Sequence, residues 1–300
     1  MSSLKTVFAG LTFKNPVVLA SGTCGFGREL AQIYDIEKLG GICSKGLTLE
    51  PCAGNPGIRI WETPSGIMNS VGMENPGVRA FLRDEEPRLE QLDLVNIVNL
   101  GGHCEEDYVL GTELLDASGC DMIELNISCP NVKEGGMNFG VKTEVARNIV
   151  RQVRAKTSKP LCVKLSPNAE DIVSLARMCE EEGGDAVSLT NTYLGLAIDI
   201  YRRRPVFENI YAGLSGPAIR PVSLRMVRQV AQAVHVPVMG VGGIMSWEDA
   251  VEYIMAGASL VQLGTSNLVR PAAALDTVEG ISAFLDEQGI ADIAEIRGIV

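Results

Sequence analysis

Eight short apolar runs rich in β-branched residues, separated by stretches with helical spacing, predict an α/β fold built on a parallel sheet. Eight such units in a chain of 300 residues favour closure into a (β/α)8 TIM barrel over an open sheet. Composition agrees, because 46% hydrophobic against 21% charged side chains can bury a large core and excludes disorder.

The elements follow in order. Residues 6–9 and 11–13 flank Gly10 and precede Asn15-Pro16, a hairpin expected to cap the N-terminal end of the barrel. Strands are expected at residues 17–20, 41–44, 95–100, 122–127, 161–165, 186–189, 238–241 and 260–263. Between them, residues 169–182 place Ile172, Leu175, Ala176 and Cys179 on one helical face. Residues 221–234 do the same with Leu224, Val227, Val230 and Ala231. Long loops are expected after the second and sixth strands, at residues 46–93 and 191–237, both rich in Gly, Pro and Asn. On the catalytic side of a barrel such loops are candidates for substrate contacts. No repeat beyond the βα unit and no linker interrupts the chain, so residues 1–300 are expected to form a single domain.

A net charge of −11 gives no broad attraction for nucleic acid or an anionic membrane, so an anionic ligand must meet locally placed cations. No apolar run approaches the length of about 18 residues that crosses a bilayer, and the first residues lack the apolar core of a signal peptide. A cytoplasmic protein is expected. Cys24, Cys43, Cys52, Cys104, Cys120, Cys129, Cys162 and Cys179 are scattered without a C-x-x-C pair, beside only His103 and His235. Neither a disulfide framework nor a metal site follows, and most of these thiols read as buried filling.

In this fold the active site lies at the C-terminal ends of the strands. There the sequence places Ser21-Gly22, Lys45-Gly46, Asn99, Asn126 with Cys129 beyond it, Lys164, Asn191-Thr192, Gly242-Gly243 and Gly264-Thr265. Lysines following apolar residues at a strand end would be costly to desolvate if idle. With the asparagines they suit a ligand that carries anionic oxygens and an amide-like edge. Gly242-Gly243 after the seventh strand and Gly264-Thr265 after the eighth occupy the usual phosphate position of such barrels, where glycine lets the backbone approach closely.

The densest stretch is Asn126-Ile-Ser-Cys-Pro-Asn-Val-Lys-Glu-Gly-Gly136, a strand end running into a lid-like loop. A thiol of ordinary pKa, about 8.5, can serve there as a general acid or, once deprotonated, as a base or nucleophile. The loop contains no histidine to form a Cys–His pair. Arg202-Arg203-Arg204 is a basic run in an acidic chain and reads as a solvated or ion-paired turn.

Asn126-Ile-Ser-Cys-Pro-Asn131, with Lys45-Gly46, Asn69-Ser-Val-Gly-Met73, Asn191-Thr192, Ser215-Gly-Pro-Ala218 and the Gly-Gly and Gly-Thr pairs, resembles the dihydroorotate dehydrogenases from the first strand to Arg270. Cysteine at position 129 is similar to class 1; class 2 carries serine there and a membrane-associating extension. The form of the loop resembles class 1B, a catalytic subunit that works with a second chain holding FAD and a [2Fe-2S] cluster and passes electrons to NAD+.

The resemblance implies FMN held by Ser21, Lys45, Gly46, Asn99, Asn126, Lys164, Thr190, Gly216, Gly242, Gly243, Gly264 and Thr265. It implies dihydroorotate or orotate contacted by Lys45, Asn69, Ser70, Val71, Gly72, Met73, Asn126, Asn131, Asn191 and Thr192, with Cys129 as the catalytic base. It also implies a homodimer core within a heterotetramer. Two alternatives stand beside it. One is a dihydropyrimidine dehydrogenase-type flavin barrel acting on uracil or thymine; the other is a Schiff-base aldolase using Lys164.

Overall fold

The computed structural model describes residues 2–127 and 143–300. Parallel strands β1 (Val17–Leu19), β2 (Gly41–Cys43), β3 (Val95–Leu100), β4 (Met122–Asn126), β5 (Leu161–Lys164), β6 (Ala186–Leu189), β7 (Val238–Val241) and β8 (Ala258–Leu263) pair in sequence order. The pairing of Val17 with Val261 closes them into a barrel. The expected fold class is therefore the observed one. Strands 1, 2, 4 and 5 end one residue before the expected limits, and β8 begins two residues earlier than expected. That early start follows from a register shift in which Ser259 is the extra residue between the pairs Val238–Ala258 and Met239–Leu260, a small polar run that does not read as strand.

Alternation along the strands builds two cores. Val18, Cys43, Ile97, Met122, Cys162, Ala186, Met239 and Leu260 turn inward and cluster with Phe8 and Phe13. Those rings belong to the hairpin Thr6–Phe8 and Leu11–Phe13 and meet edge to face at 6.2 Å, plugging the N-terminal end. Outward residues such as Val17, Leu19, Val98, Leu125, Val163 and Val187 pack with the surrounding helices.

Helix termini are set by local chemistry. Asp171 accepts from the backbone N–H groups of Val173 and Ser174 to start Ile172–Glu181, within the expected 169–182. Arg220–Ala231 lies within the expected 221–234 except for its first residue. Between β1 and β2 the described chain has only the 3-10 turns Leu30–Gln32 and Ile36–Lys38 in place of an α-helix. None of the described helices is long and apolar enough to cross a membrane.

The two long connections are not irregular loops. Ile60–Thr63 and Gly66–Asn69 from the first pair with Tyr193–Leu196 and Tyr211–Ser215 from the second in a four-stranded antiparallel sheet. Each hairpin is too short to bury a face alone, and joining them gives Met68, Val206, Phe207 and Ala212 a small core of their own. The basic run sits in the exposed turn between Ile198–Asp199 and Arg204–Pro205, where Arg202 lies 3.5 Å from Asp199.

Candidate active site

The floor of the barrel mouth is a polar layer above the apolar interior. Its centre is Glu124 of β4, fully buried. Its Oε1 accepts from Asn99 Nδ2 at 2.7 Å, Cys43 Sγ at 3.2 Å and Lys164 Nζ at 3.3 Å. Its Oε2 accepts from Ser188 Oγ at 2.8 Å and Gln262 Nε2 at 2.9 Å. These donors come from β2, β3, β5, β6 and β8, so one carboxylate ties most of the barrel together. Burial drives the carboxyl upward, but Lys164 and the hydrogen bonds from Ser188, Asn99 and Cys43 outweigh it and hold Glu124 below the ordinary carboxylate value. For Lys164, burial pulls the ammonium down and the Glu124 charge overcomes it, leaving the lysine raised.

Several of these groups keep a polar end unspent. Asn99 Oδ1 and Gln262 Oε1 are buried without a hydrogen-bond partner among the described residues. Lys164 directs one donor to Glu124, and an ammonium has three. Buried unpaired acceptors cost about 1–3 kcal/mol each, so a floor with two of them beside a lysine with spare donors is shaped to receive a polar ligand. Gly46, after β2, packs against the same groups: a Cβ there would lie 2.8 Å from Asn99 Oδ1 and 3.9 Å from Ser21 Oγ. Ser21, Gly46, Asn99 and Lys164 thus belong to one region.

A second region forms where β6, β7 and β8 end. Thr190 is buried, with its Oγ1 2.8 Å from Ser223 Oγ and its N–H bonded to Val241 O. Gly242 passes so close to Ser223 that a Cβ would sit 2.5 Å from its hydroxyl. Gly243, at φ +73°, would bring a Cβ to 2.7 Å from Gly216 O. Gly216 is packed by Gly66 and by Thr265, whose Oγ1 donates to Ser215 Oγ at 3.0 Å. Gly264 precedes the short helix Thr265–Val269, and a Cβ there would meet Ala20 at 3.6 Å. Bare backbone and hydroxyls converge here, the arrangement that a phosphate group requires.

The remaining candidates ring these regions. Asn191 Nδ2 donates to Asn126 Oδ1 at 3.3 Å, while Asn191 Oδ1 accepts from the Thr192 N–H at 2.7 Å. The Thr192 side chain rests on Gly213, whose carbonyl accepts from Asn69 Nδ2 at 3.4 Å. Ser70, Val71 and Gly72 are held instead by Asn55: Ser70 Oγ and Val71 O accept from it, and Gly72 packs on its amide. Met73 returns to the barrel, its Cε against Gly101 at the end of β3. Lys45 lines a cavity of about 500 Å³ with Gly25, Phe26, Cys52, Glu74 and Asn75, and burial lowers its pKa against the opposing Glu74. Cys129 and Asn131 lie outside the described residues.

Sequence reasoning missed Glu124, Ser188, Gln262, Ser223 and Asn75. Asn75 anchors the loop before it, donating to Met73 O and Thr48 Oγ1 and accepting from the N–H groups of Thr48 and Gly77. A usable signal existed for two of them: Glu124 in Met-Ile-Glu-Leu-Asn and Gln262 in Leu-Val-Gln-Leu stand alone as polar residues in apolar strands. Among the buried thiols, Cys43 is more than filling, since it donates to Glu124.

Residues 3–285 match the family model for dihydroorotate dehydrogenase. A Petrotoga mobilis protein named dihydroorotate dehydrogenase B (NAD(+)), catalytic subunit, is 54% identical over the whole of both chains. Proteins of the same name from Thermoanaerobacter pseudethanolicus and Bacteroides thetaiotaomicron are 49% and 48% identical, each over 99% of this chain and 98% and 99% of their own. The chain belongs to the dihydroorotate dehydrogenase family. The dihydroorotate dehydrogenase match spans the barrel, the antiparallel sheet above it and most of the last helix, Ala273–Gln288, so both regions of the site fall inside it. The family resemblance read from the motifs is therefore borne out, and that match leaves no support for the aldolase reading of Lys164, whose ammonium lies 3.3 Å from Glu124.

Proposed function

We propose that this single barrel domain oxidises dihydroorotate to orotate in pyrimidine biosynthesis, as the catalytic subunit of an NAD+-linked, FMN-containing enzyme. The observation that carries the reading is the pairing of a glycine and hydroxyl cradle at Gly216, Gly242, Gly243 and Thr265 with a polar floor whose Asn99, Gln262 and Lys164 have unspent hydrogen-bonding capacity. FMN has the two features this asks for, a phosphate and a ring with a polar edge. Thr190, Gly216, Gly242, Gly243, Gly264 and Thr265 would hold its phosphate end, and Ser21, Lys45, Gly46, Asn99, Asn126 and Lys164 its ring. When bound, FMN supplies a hydride acceptor for C6 of dihydroorotate.

The chain's own residues do the rest. Asn69, Asn126, Asn131, Asn191 and Thr192 offer amides and a hydroxyl to the imide edge of the substrate, and Lys45 offers a cation to its carboxylate. Ser70, Val71, Gly72 and Met73 enclose it. Cys129 takes the proton from C5, which requires its thiolate. Electrons leave through a partner subunit carrying FAD and a [2Fe-2S] cluster, with a homodimer of this chain at the centre of a cytoplasmic heterotetramer.

Replacing Cys129 tests the mechanism. Cys129→Ser should slow dihydroorotate-driven flavin reduction by about 100-fold or more in stopped flow while FMN stays bound, and the wild-type rate should rise with pH until the thiol is ionised. Near-normal reduction by the serine variant, or a flat wild-type profile, would remove Cys129 from the reaction.

A further inference from the structure

The fully buried charge of the barrel mouth, Glu124, meets side-chain donors of the protein at both oxygens. Glu124 is 0% exposed, and a buried carboxylate costs several kcal/mol in desolvation unless its environment repays it. Here the repayment is complete on one side: both oxygens are occupied by side-chain donors from other strands. Replacing a buried ion pair by well-packed hydrophobic residues is often neutral or stabilising, and the interior below this layer is already apolar. The carboxylate therefore has a purpose other than holding strands together.

Its partners show what that purpose is. Three of them are two-ended groups, with one end on Glu124 and the other unspent: Asn99 with Oδ1, Gln262 with Oε1 and Lys164 with its further N–H bonds. An acceptor hub fixes which end of each group points inward. For Asn99 and Gln262 it turns the NH2 toward Glu124 and leaves the carbonyl oxygen for a ligand. For Lys164 it supplies the only acceptor among the described residues, and an ammonium buried in this way without a counter-charge would lose its proton.

We propose that Glu124 is a positioning residue: it keeps Lys164 a cation in a fixed place at the floor of the mouth, and through Lys164 it sets the affinity and reduction potential of the flavin bound there. The proposal rests on the FMN reading above. The titratable groups facing the pair are Cys24 from the loop after β1, Cys43 from β2 and Cys162 from β5. All three are thiols that burial pushes up, Cys24 to about 12, so they stay neutral between pH 6 and pH 9.

The test compares wild type, Glu124→Gln and Glu124→Asp in three measurements across pH: FMN dissociation constant, flavin midpoint potential, and the Lys164 ammonium signal in the 15N spectrum of lysine-labelled protein. Wild type and Glu124→Asp should keep Lys164 charged past pH 9 and show no Lys164 inflection in either flavin property. In Glu124→Gln the counter-charge is gone, leaving at most a neutral amide acceptor against burial. The lysine's loss of its proton should then appear between about pH 6 and pH 9, with an added inflection in the potential and FMN binding about tenfold weaker above it. Superimposable profiles for wild type and Glu124→Gln, or a neutral Lys164 in wild type at pH 8, would overturn the proposal.

If Glu124→Gln does not fold, Glu124→Gln/Lys164→Met removes both charges and should fold, which would itself support the pairing. Should both fail, the wild-type ammonium titration decides. Failure of the FMN reading looks different, because wild-type protein would then bind no FMN at any pH while the lysine titration still reports the pair.

Discussion

At Gly243 the backbone adopts φ +73°, a region L side chains rarely enter, and the missing Cβ leaves room for Gly216 O at 2.7 Å and Arg220 Cβ at 2.8 Å. Strain and collision act together there. Gly243→Ala should destabilise the fold by about 1–3 kcal/mol and abolish FMN retention, read by thermal melting and by the colour of the purified protein. At Gly264 the nearest atom beyond the chain neighbours is 3.6 Å away, so Gly264→Ala meets no collision and its cost should come only from the backbone, whose φ −114° and ψ −93° lie outside the regions L residues favour. At this scale the sequence disclosed what stands at strand ends, because a lysine or a glycine pair after an apolar run is out of place there. Lys164 and Gly242-Gly243 were legible for that reason. Glu124 stood out only as a lone charge in an apolar strand, and its role could not be read from that, because the donors that justify the charge lie on strands distant in sequence.

Among the elements, the last helix, Ala273–Gln288, shows packing overriding propensity. Alanine at Gly280 would gain about 1 kcal/mol of helix propensity. Its Cβ, however, would lie 2.2 Å from Trp247 Cγ, part of a rigid ring already stacked on Phe284 at 5.7 Å. Overpacking of this kind costs about 1–3 kcal/mol, so Gly280→Ala should lower stability in a denaturant titration, the reverse of the propensity ranking. A second prediction concerns Glu182, which closes Ile172–Glu181 and accepts from Arg147 and Arg151 of the helix Thr143–Arg154. Hydrogen bonds from Arg151 and Arg147 hold its carboxyl at about 2. A depressed carboxyl contributes above its unfolded value and loses that contribution as pH falls through the folded one. The melting difference between wild type and Glu182→Gln should therefore be largest near neutral pH, shrink as pH falls below the ordinary carboxylate value and disappear only below about pH 2. Strands and amphipathic helices were readable from periodicity within each segment. The antiparallel sheet was not, because its two hairpins complete one another across more than a hundred residues of sequence.

Over the whole molecule, closure of the barrel puts the glycine and hydroxyl cradle, polar floor and covering sheet at one end, while the Phe8 and Phe13 plug seals the other. The count of strand-like runs was enough to anticipate that polarity of the fold, since parallel strands of equal direction present all their C-terminal ends together. In the proposed assembly this chain performs only the first half-reaction. Purified alone, it should reduce NAD+ with dihydroorotate at a negligible rate, and adding the electron-transfer subunit should restore turnover; efficient NADH formation by the chain alone would remove the need for a partner. The central claim, that this mouth binds FMN and delivers it a hydride from dihydroorotate, is tested most directly by adding dihydroorotate anaerobically to the purified chain and following the visible flavin absorbance. Rapid bleaching with dihydroorotate but not with dihydrouracil is the expected result, whereas a yellow protein that does not bleach, or a colourless one that FMN cannot reconstitute, would contradict it.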